Sequence, residues 1–198
     1  QKVVAELKCL EIDKTDDPSS AKRLDRVWIK WRQRGLVSGR TPPRIDSRSL
    51  PRVCQNEMYR IIGEPIRRRI KKANRQIRET KAALNLADYT GLLLIANDGN
   101  FSMSPAALIH CIQSSLQNEF REIKNFIFFT ANMYSRMKSL PVPALFWISF
   151  SMDDACRLPD DFVEDLHRHW MLRHGEITGI PSFEGEIENM EAFWHARY

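Results

Sequence analysis

No stretch of 18 or more apolar residues occurs in this chain, so no segment reads as a membrane-spanning helix. The opening QKVVAELKCLEID lacks the apolar core and small-residue cleavage site of a secretory leader. Cysteine is sparse: Cys9, Cys54, Cys111 and Cys156 stand far apart, with no C-x-x-C pair. That spacing argues against a cysteine-rich zinc site and for reduced thiols in a cytoplasmic setting. Neither G-x-x-x-x-G-K-[ST] nor G-x-S-x-G occurs, so P-loop nucleotide hydrolysis and serine-hydrolase chemistry have no support. There is no internal repeat and no low-complexity tract.

What is present is globular. The chain has 198 residues, 43% hydrophobic and 28% charged, which excludes wholesale disorder and suits one domain with its own core. It starts at Gln1, almost at once in an apolar strand-like run, and this predicts a fragment of a longer chain.

Charge is unevenly spread. The net +5 hides a block from Lys22 to Lys81 with 19 basic and five acidic residues, net +14; the rest holds 11 basic and 20 acidic, net −9. A block that basic needs a polyanion, most commonly nucleic acid, with an anionic membrane surface as the rival.

Residues 3–12 are β-branched and roughly alternating, a strand pattern. Residues 21–34 carry Leu24, Val27, Trp28 and Trp31 at helical spacing, ended by Gly35. Residues 35–56, rich in Pro and Arg, read as an extended loop, and 13–60 as a basic insertion. A long helix follows over 64–87, with Pro65 in its first turn and Ile62, Ile66, Ile70, Ala73, Ile77 and Leu84 as its stripe. GLLLIA at 91–96 is a buried strand ending in the turn signal Asn97-Asp98-Gly99-Asn100. Ser104 and Pro105 start the next helix; 125–130 and 144–150 are further strands, and 160–172 a last helix. The acidic segment 153–198 ends the chain, and its tail is expected to meet a basic partner or fold back over the basic block. Helices between apolar strands predict an α/β sheet covered on both faces.

Glu6 and Lys8 are two residues apart on the first strand and so share a face with Val4 and Leu10. A carboxylate and an ammonium on a mostly buried strand are costly unless used. One use is metal-assisted hydrolysis: the carboxylate holds Mg²⁺ and the lysine orients the attacking water. The plain alternative is an ion pair at a sheet edge. Glu-x-Lys recurs at Glu79–Lys81 and Glu122–Lys124, and this charge content yields about one such triplet by chance. Only the first combines a mid-strand position with a basic helix and then a buried strand. The third is a rival, with Asp98 upstream of it.

In that arrangement the chain resembles the PD-(D/E)xK nuclease superfamily, of restriction-endonuclease-like fold, over about residues 3–130. The resemblance implies a Mg²⁺ (or Mn²⁺) dependent nuclease with a mixed central sheet. Glu6 would be the metal ligand and Lys8 the water-positioning group. Gln76, on the helix beside Ala73, would match the glutamine some branches carry. The family's metal-binding aspartate precedes E-x-K, yet only five residues precede Glu6, and Asp13, Asp16 and Asp17 follow it. Either that aspartate lies before Gln1 or it is lost, which would leave a binding-only module. Arg67, Arg68, Lys71, Lys72, Arg75 and Arg78 are the expected phosphate contacts, on DNA more than RNA. Nucleases of this fold often act in pairs, so a homodimer or protein partner is an open expectation.

The other candidates have plainer explanations. Asn97–Asn100 is most simply a turn. His167, His169 and His174 with Cys156 match no compact zinc signature. Trp28 and Trp31 fit a packing stripe better than a base-stacking platform.

Overall fold

The computed structural model describes residues 2–11, 18–42, 45–101, 103–137, 143–179 and 196. Their elements run β1 (Val3–Leu10), α1 (Pro18–Gln33), α2 (Arg52–Ile62), α3 (Glu64–Ala83), β2 (Thr90–Asn97), α4 (Pro105–Glu119), β3 (Asn125–Thr130), β4 (Trp147–Ser151) and α5 (Asp160–Thr178). Short 3-10 turns lie at Ser47–Ser49 and Asp154–Cys156.

The four strands form one mixed sheet in the order β1-β2-β3-β4. β1 and β2 are parallel, as are β2 and β3, while β4 runs antiparallel to β3. β2 and β3 are central, and their runs TGLLLIAN and NFIFFT are buried nearly throughout. Such runs suit strands covered on both faces. β1 is an edge strand in register with β2, Glu6 opposite Leu93 and Lys8 opposite Ile95.

Alternation sorts the side chains into two cores. Val4, Leu10, Leu93, Ile95, Phe126 and Phe128 pack with Ile66, Ile70, Ala73 and Ile77 of α3 and Leu108, Ile109 and Ile112 of α4. On the other face Leu92, Ala96, Ile127 and Phe129 meet Phe162, Val163, Leu166 and Trp170 of α5. A satellite core joins α1 to α2 through Trp28, Trp31, Leu50, Cys54 and Met58. The α/β class with helices on both sheet faces is thus as expected.

Local chemistry sets the boundaries. Ser104 caps α4 by accepting from the Ala107 amide at 3.3 Å, with Pro105 next. Asn85, at φ 54°, takes the left-handed conformation just past α3, so the helix stops at Ala83 rather than at 87. The expected loop over 35–56 is shorter: Cys54, Met58 and Ile61 make a buried stripe, and α2 begins at Arg52. Ile62 therefore belongs to α2, while Leu84 is exposed beyond α3. The last strand starts at Trp147 rather than 144, and α5 runs on to Thr178.

Three glycines are set by close approach, the mildest case being Gly63, where a Cβ would lie 2.7 Å from the Tyr59 carbonyl oxygen. A Cβ on Gly91 would lie 1.9 Å from the Glu122 carbonyl oxygen, and one on Gly99 would lie 2.2 Å from that of Glu11. Among the described residues no helix is long and apolar enough to cross a membrane.

Candidate functional site

The edge position of β1 sets the geometry of the candidate site. Its even-numbered side chains point toward α3, and α5 leaves much of the opposite face open, so Leu7 is 56% exposed. Glu6 and Lys8 sit on the α3 side with side chains 23% and 14% exposed. The Lys8 ammonium meets the Glu6 carboxylate directly. It also donates to Gln76 Oε1 at 2.8 Å. The three residues expected to act together are therefore in one contact. Gln76 reaches β1 because it neighbours Ala73 and Ile77, which α3 buries against the sheet. In bare geometry this is also the edge ion pair of the plainer reading, with a glutamine added.

The carboxyl end of β1 adds charge of both signs. Burial pushes the Cys9 thiol up, and the carboxylates of Asp98 and Glu11 push it further, while Arg69 pulls it down. Asp98 is held by Asn132, whose Nδ2 donates to it at 2.7 Å. Arg69 is not among the phosphate contacts that the sequence predicts. Its signal was the spacing: Arg69, Lys72 and Gln76 are three and four residues apart, one stripe of a helix.

The expected phosphate contacts divide. Arg67 pairs with Glu119 at 2.6 Å, Arg68 with Glu64 at 3.2 Å and Arg75 with Glu79 at 3.6 Å. Lys71, Lys72 and Arg78 are exposed and have no ion pair among the described residues. Exposed pairs are worth about 0.2–1 kcal/mol, so a phosphate can compete for the first three, but the other three are already free.

The rival triplets do not form sites. Glu79 is taken by Arg75, and Lys81 by Glu122 at 3.2 Å. Lys124 approaches Asp153 at 4.0 Å. Glu122 and Lys124 precede β3 and Asp98 follows β2; the strands are parallel, so these groups lie at opposite ends of the sheet.

Asn97–Asn100 is a turn: Asn97 Nδ2 donates to the Asn100 carbonyl at 3.2 Å and its Oδ1 accepts from the Asn100 amide at 3.1 Å. Among the described residues no three His, Cys, Asp or Glu gather as a metal site, so the histidines and Cys156 form no zinc cluster there. His167 instead stacks on Trp147, ring centroids 5.2 Å apart. Trp28 and Trp31 are 7% and 1% exposed, in the satellite core and closed to base stacking. Asp13, Asp16, Asp17 and the acidic tail from 180 to 195 lie outside the described residues.

Mg²⁺ is usually held by one or two carboxylates together with substrate phosphates. Glu6 supplies one such oxygen donor beside the cationic stripe of α3, a set that fits an ion shared with substrate rather than one caged by protein. Compared with known proteins, the chain matches no family model, no curated protein and no solved structure.

Proposed function

We propose that this chain is a nuclease domain of restriction-endonuclease-like fold, which holds nucleic acid, DNA in preference to RNA, and hydrolyses its phosphodiester bonds with Mg²⁺ or Mn²⁺. The observation that carries this is the joint contact of Glu6, Lys8 and Gln76 on the edge strand of a parallel pair, with Arg69 and Lys72 on the same stripe of α3 as Gln76. Gln76 holds the Lys8 side chain in place by accepting one of its hydrogens. So placed, the Lys8 ammonium orients an attacking water and offsets the charge that grows on the phosphate oxygens. Glu6 would hold the metal through its carboxylate, and the ion would supply Lewis acidity at the phosphate. Lys72 and Arg69, on the stripe of Gln76, hold the flanking phosphates; Lys71 and Arg78, on other faces of α3, meet more distant ones, with Arg67, Arg68 and Arg75 joining when substrate displaces their carboxylates.

The test is cleavage of labelled DNA and RNA with Mg²⁺, with Mn²⁺ and with chelator. Cleavage should need the metal and fall at least about 100-fold in Glu6→Gln and in Lys8→Met, in the range that single electrostatic groups contribute. Equal activity in all three proteins overturns the assignment.

A second reading is a catalytically silent nucleic-acid-binding module of the same fold. It is favoured by the engagement of Glu6 with Lys8 and by the lack of a three-ligand cluster among the described residues. It predicts binding that weakens steeply with salt and no cleavage with either ion.

A further inference from the structure

The helices of this protein treat their cations differently. On α5, Arg168 pairs with Asp165 at 2.6 Å and Arg173 with Glu176 at 2.8 Å, each three residues away. On α3 the treatment is mixed: Arg68 and Arg75 each take a glutamate one turn away, while Lys71, Lys72 and Arg78 have no ion pair among the described residues. On α1 the pattern breaks. Lys22, Arg26 and Lys30 follow one another at four-residue steps, Arg34 continues the row just past the helix end, and Arg23 lies beside it. All five are exposed, and none has an ion pair among the described residues. Like charges four residues apart on a helix repel one another. At 1.5 Å per residue the row from Lys22 to Arg34 spans about 18 Å, roughly five base-pair steps of a duplex.

We propose that α1 bears a second polyanion-binding surface, distinct from the site at β1, that grips the phosphate backbone of nucleic acid. It rests on the nucleic-acid reading above and extends it from the cleavage site to a separately built arm.

A membrane surface is the competing polyanion, and the packing of α1 disfavours it. An interfacial helix must turn its apolar face into the lipid. The apolar face of α1 is already used: Trp28 and Trp31 are buried against Leu50, Cys54 and Met58. Both indoles are also tethered, Trp31 Nε1 donating to Glu57 Oε2 at 2.8 Å and Trp28 Nε1 to the Gly39 carbonyl at 3.4 Å. Entering a bilayer would unpack that core, whereas the outward cations reach a phosphate backbone with no rearrangement. The same packing keeps the tryptophans from bases, so the surface reads charge rather than sequence.

The experiment uses the full chain and the triple variant Lys22→Gln, Arg26→Gln, Lys30→Gln. Binding to a fluorescein-labelled duplex is followed by anisotropy in chelator between 50 and 200 mM salt, with anionic phosphatidylserine vesicles as a parallel arm. The slope of log K against log salt should shrink by about 2.7 in the triple variant, about 0.9 for each lost phosphate contact. Lys8→Met should change it by about 0.9 at most, one contact's worth. The melting temperature of the triple variant should hold or rise, since repulsion is relieved, so weaker binding would not reflect misfolding. If the wild-type chain binds duplex and the triple variant keeps its slope and affinity, the α1 surface is rejected while the β1 site stands. Binding to vesicles but not duplex overturns the α1 proposal in favour of a membrane surface. A wild-type chain that binds no nucleic acid at all removes this proposal together with the reading beneath it.

Discussion

Lys8 Nζ donates to Gln76 Oε1 at 2.8 Å, a bond that joins an edge strand to the long helix across 68 residues of sequence. A hydrogen bond to a charged, largely buried group contributes about 1.5–3 kcal/mol. Gln76→Leu should therefore lower unfolding free energy by about 1–2 kcal/mol in a urea titration. In a Lys8→Met background the same change should cost under about 0.5 kcal/mol, because the partner is gone. An equal cost in both backgrounds would mean the contact contributes nothing.

Gly91 and Gly35 should respond very differently to alanine. At Gly91 the new methyl would meet the Glu122 carbonyl at 1.9 Å, a backbone atom that cannot rotate away. The expected loss is about 3 kcal/mol or more, with poor soluble yield. Gly35 has φ +70° but nothing within 4 Å, so only the left-handed backbone is at issue, at about 1–2 kcal/mol. Thermal melts of the two variants separate these outcomes, and similar melts would contradict the close approach of β2 to the α4–β3 turn.

Trp31→Phe removes the indole donor that Glu57 Oε2 accepts at 2.8 Å and leaves that half-buried carboxylate without this partner at the rim of the satellite core. The expected cost is about 1–3 kcal/mol. Adding Glu57→Leu should restore part of it, since an apolar side chain leaves nothing unsatisfied there. Failure of the double variant to recover stability, measured by urea unfolding, would show that the cost is one of volume alone.

The thiols should separate by environment. Burial pushes Cys111 up to about 12, and it should not react with DTNB at pH 8 until the chain unfolds. Burial and the glutamate at 57 raise Cys54 as well. Cys9 is raised by burial and by Asp98 and Glu11 and lowered by Arg69, which gives paired signs. Asp98→Asn should speed its labelling and Arg69→Gln should slow it; changes in the opposite directions would place those charges elsewhere.

His110 lies against Tyr59, ring centroids 4.8 Å apart, and partial desolvation there lowers its pKa from the ordinary 6.5. The folded state then binds fewer protons than the unfolded one just below pH 6.5, so stability rises with pH in that window. The contribution is present above the unfolded value and is lost as pH falls through it toward the folded one. The His110→Asn variant should show a smaller drop in melting temperature between pH 7.5 and 5.5 than the wild type. An identical drop would assign the acid sensitivity to other groups.

Much of the sheet was legible because its strands are unusually apolar. TGLLLIAN and NFIFFT have no competing helical period, and the Ser104-Pro105 start of α4 is a local signal with a local cause. Gln76 could be placed because Ile66, Ile70, Ala73 and Ile77 fix the inner face of α3, and the glutamine neighbours that face. The start of α2 was not legible: Cys54, Met58 and Ile61 are three apolar positions among polar ones, and they become a stripe only against the tryptophans of α1. Nor was the pairing of Arg67 with Glu119, a partner 52 residues away that only tertiary structure delivers. Arg69 was passed over for a different reason. Cations surround it in sequence, and only the fold brings its charge within electrostatic reach of Cys9, while Arg68 pairs with Glu64.

The edge position of β1 has a consequence for self-association. Among the described residues no strand pairs with the side of β1 away from β2. Exposed strand edges invite other chains to add on, and inward-pointing charges are one way proteins discourage this. A strand laid along β1 would have to seal Glu6 and Lys8 from the water that still reaches them. Replacing both with leucine would leave an apolar ribbon from Val3 to Leu10, open along one side. Such a variant should form sedimenting aggregates at concentrations where the wild-type chain stays dispersed, whatever the pair does for a phosphate.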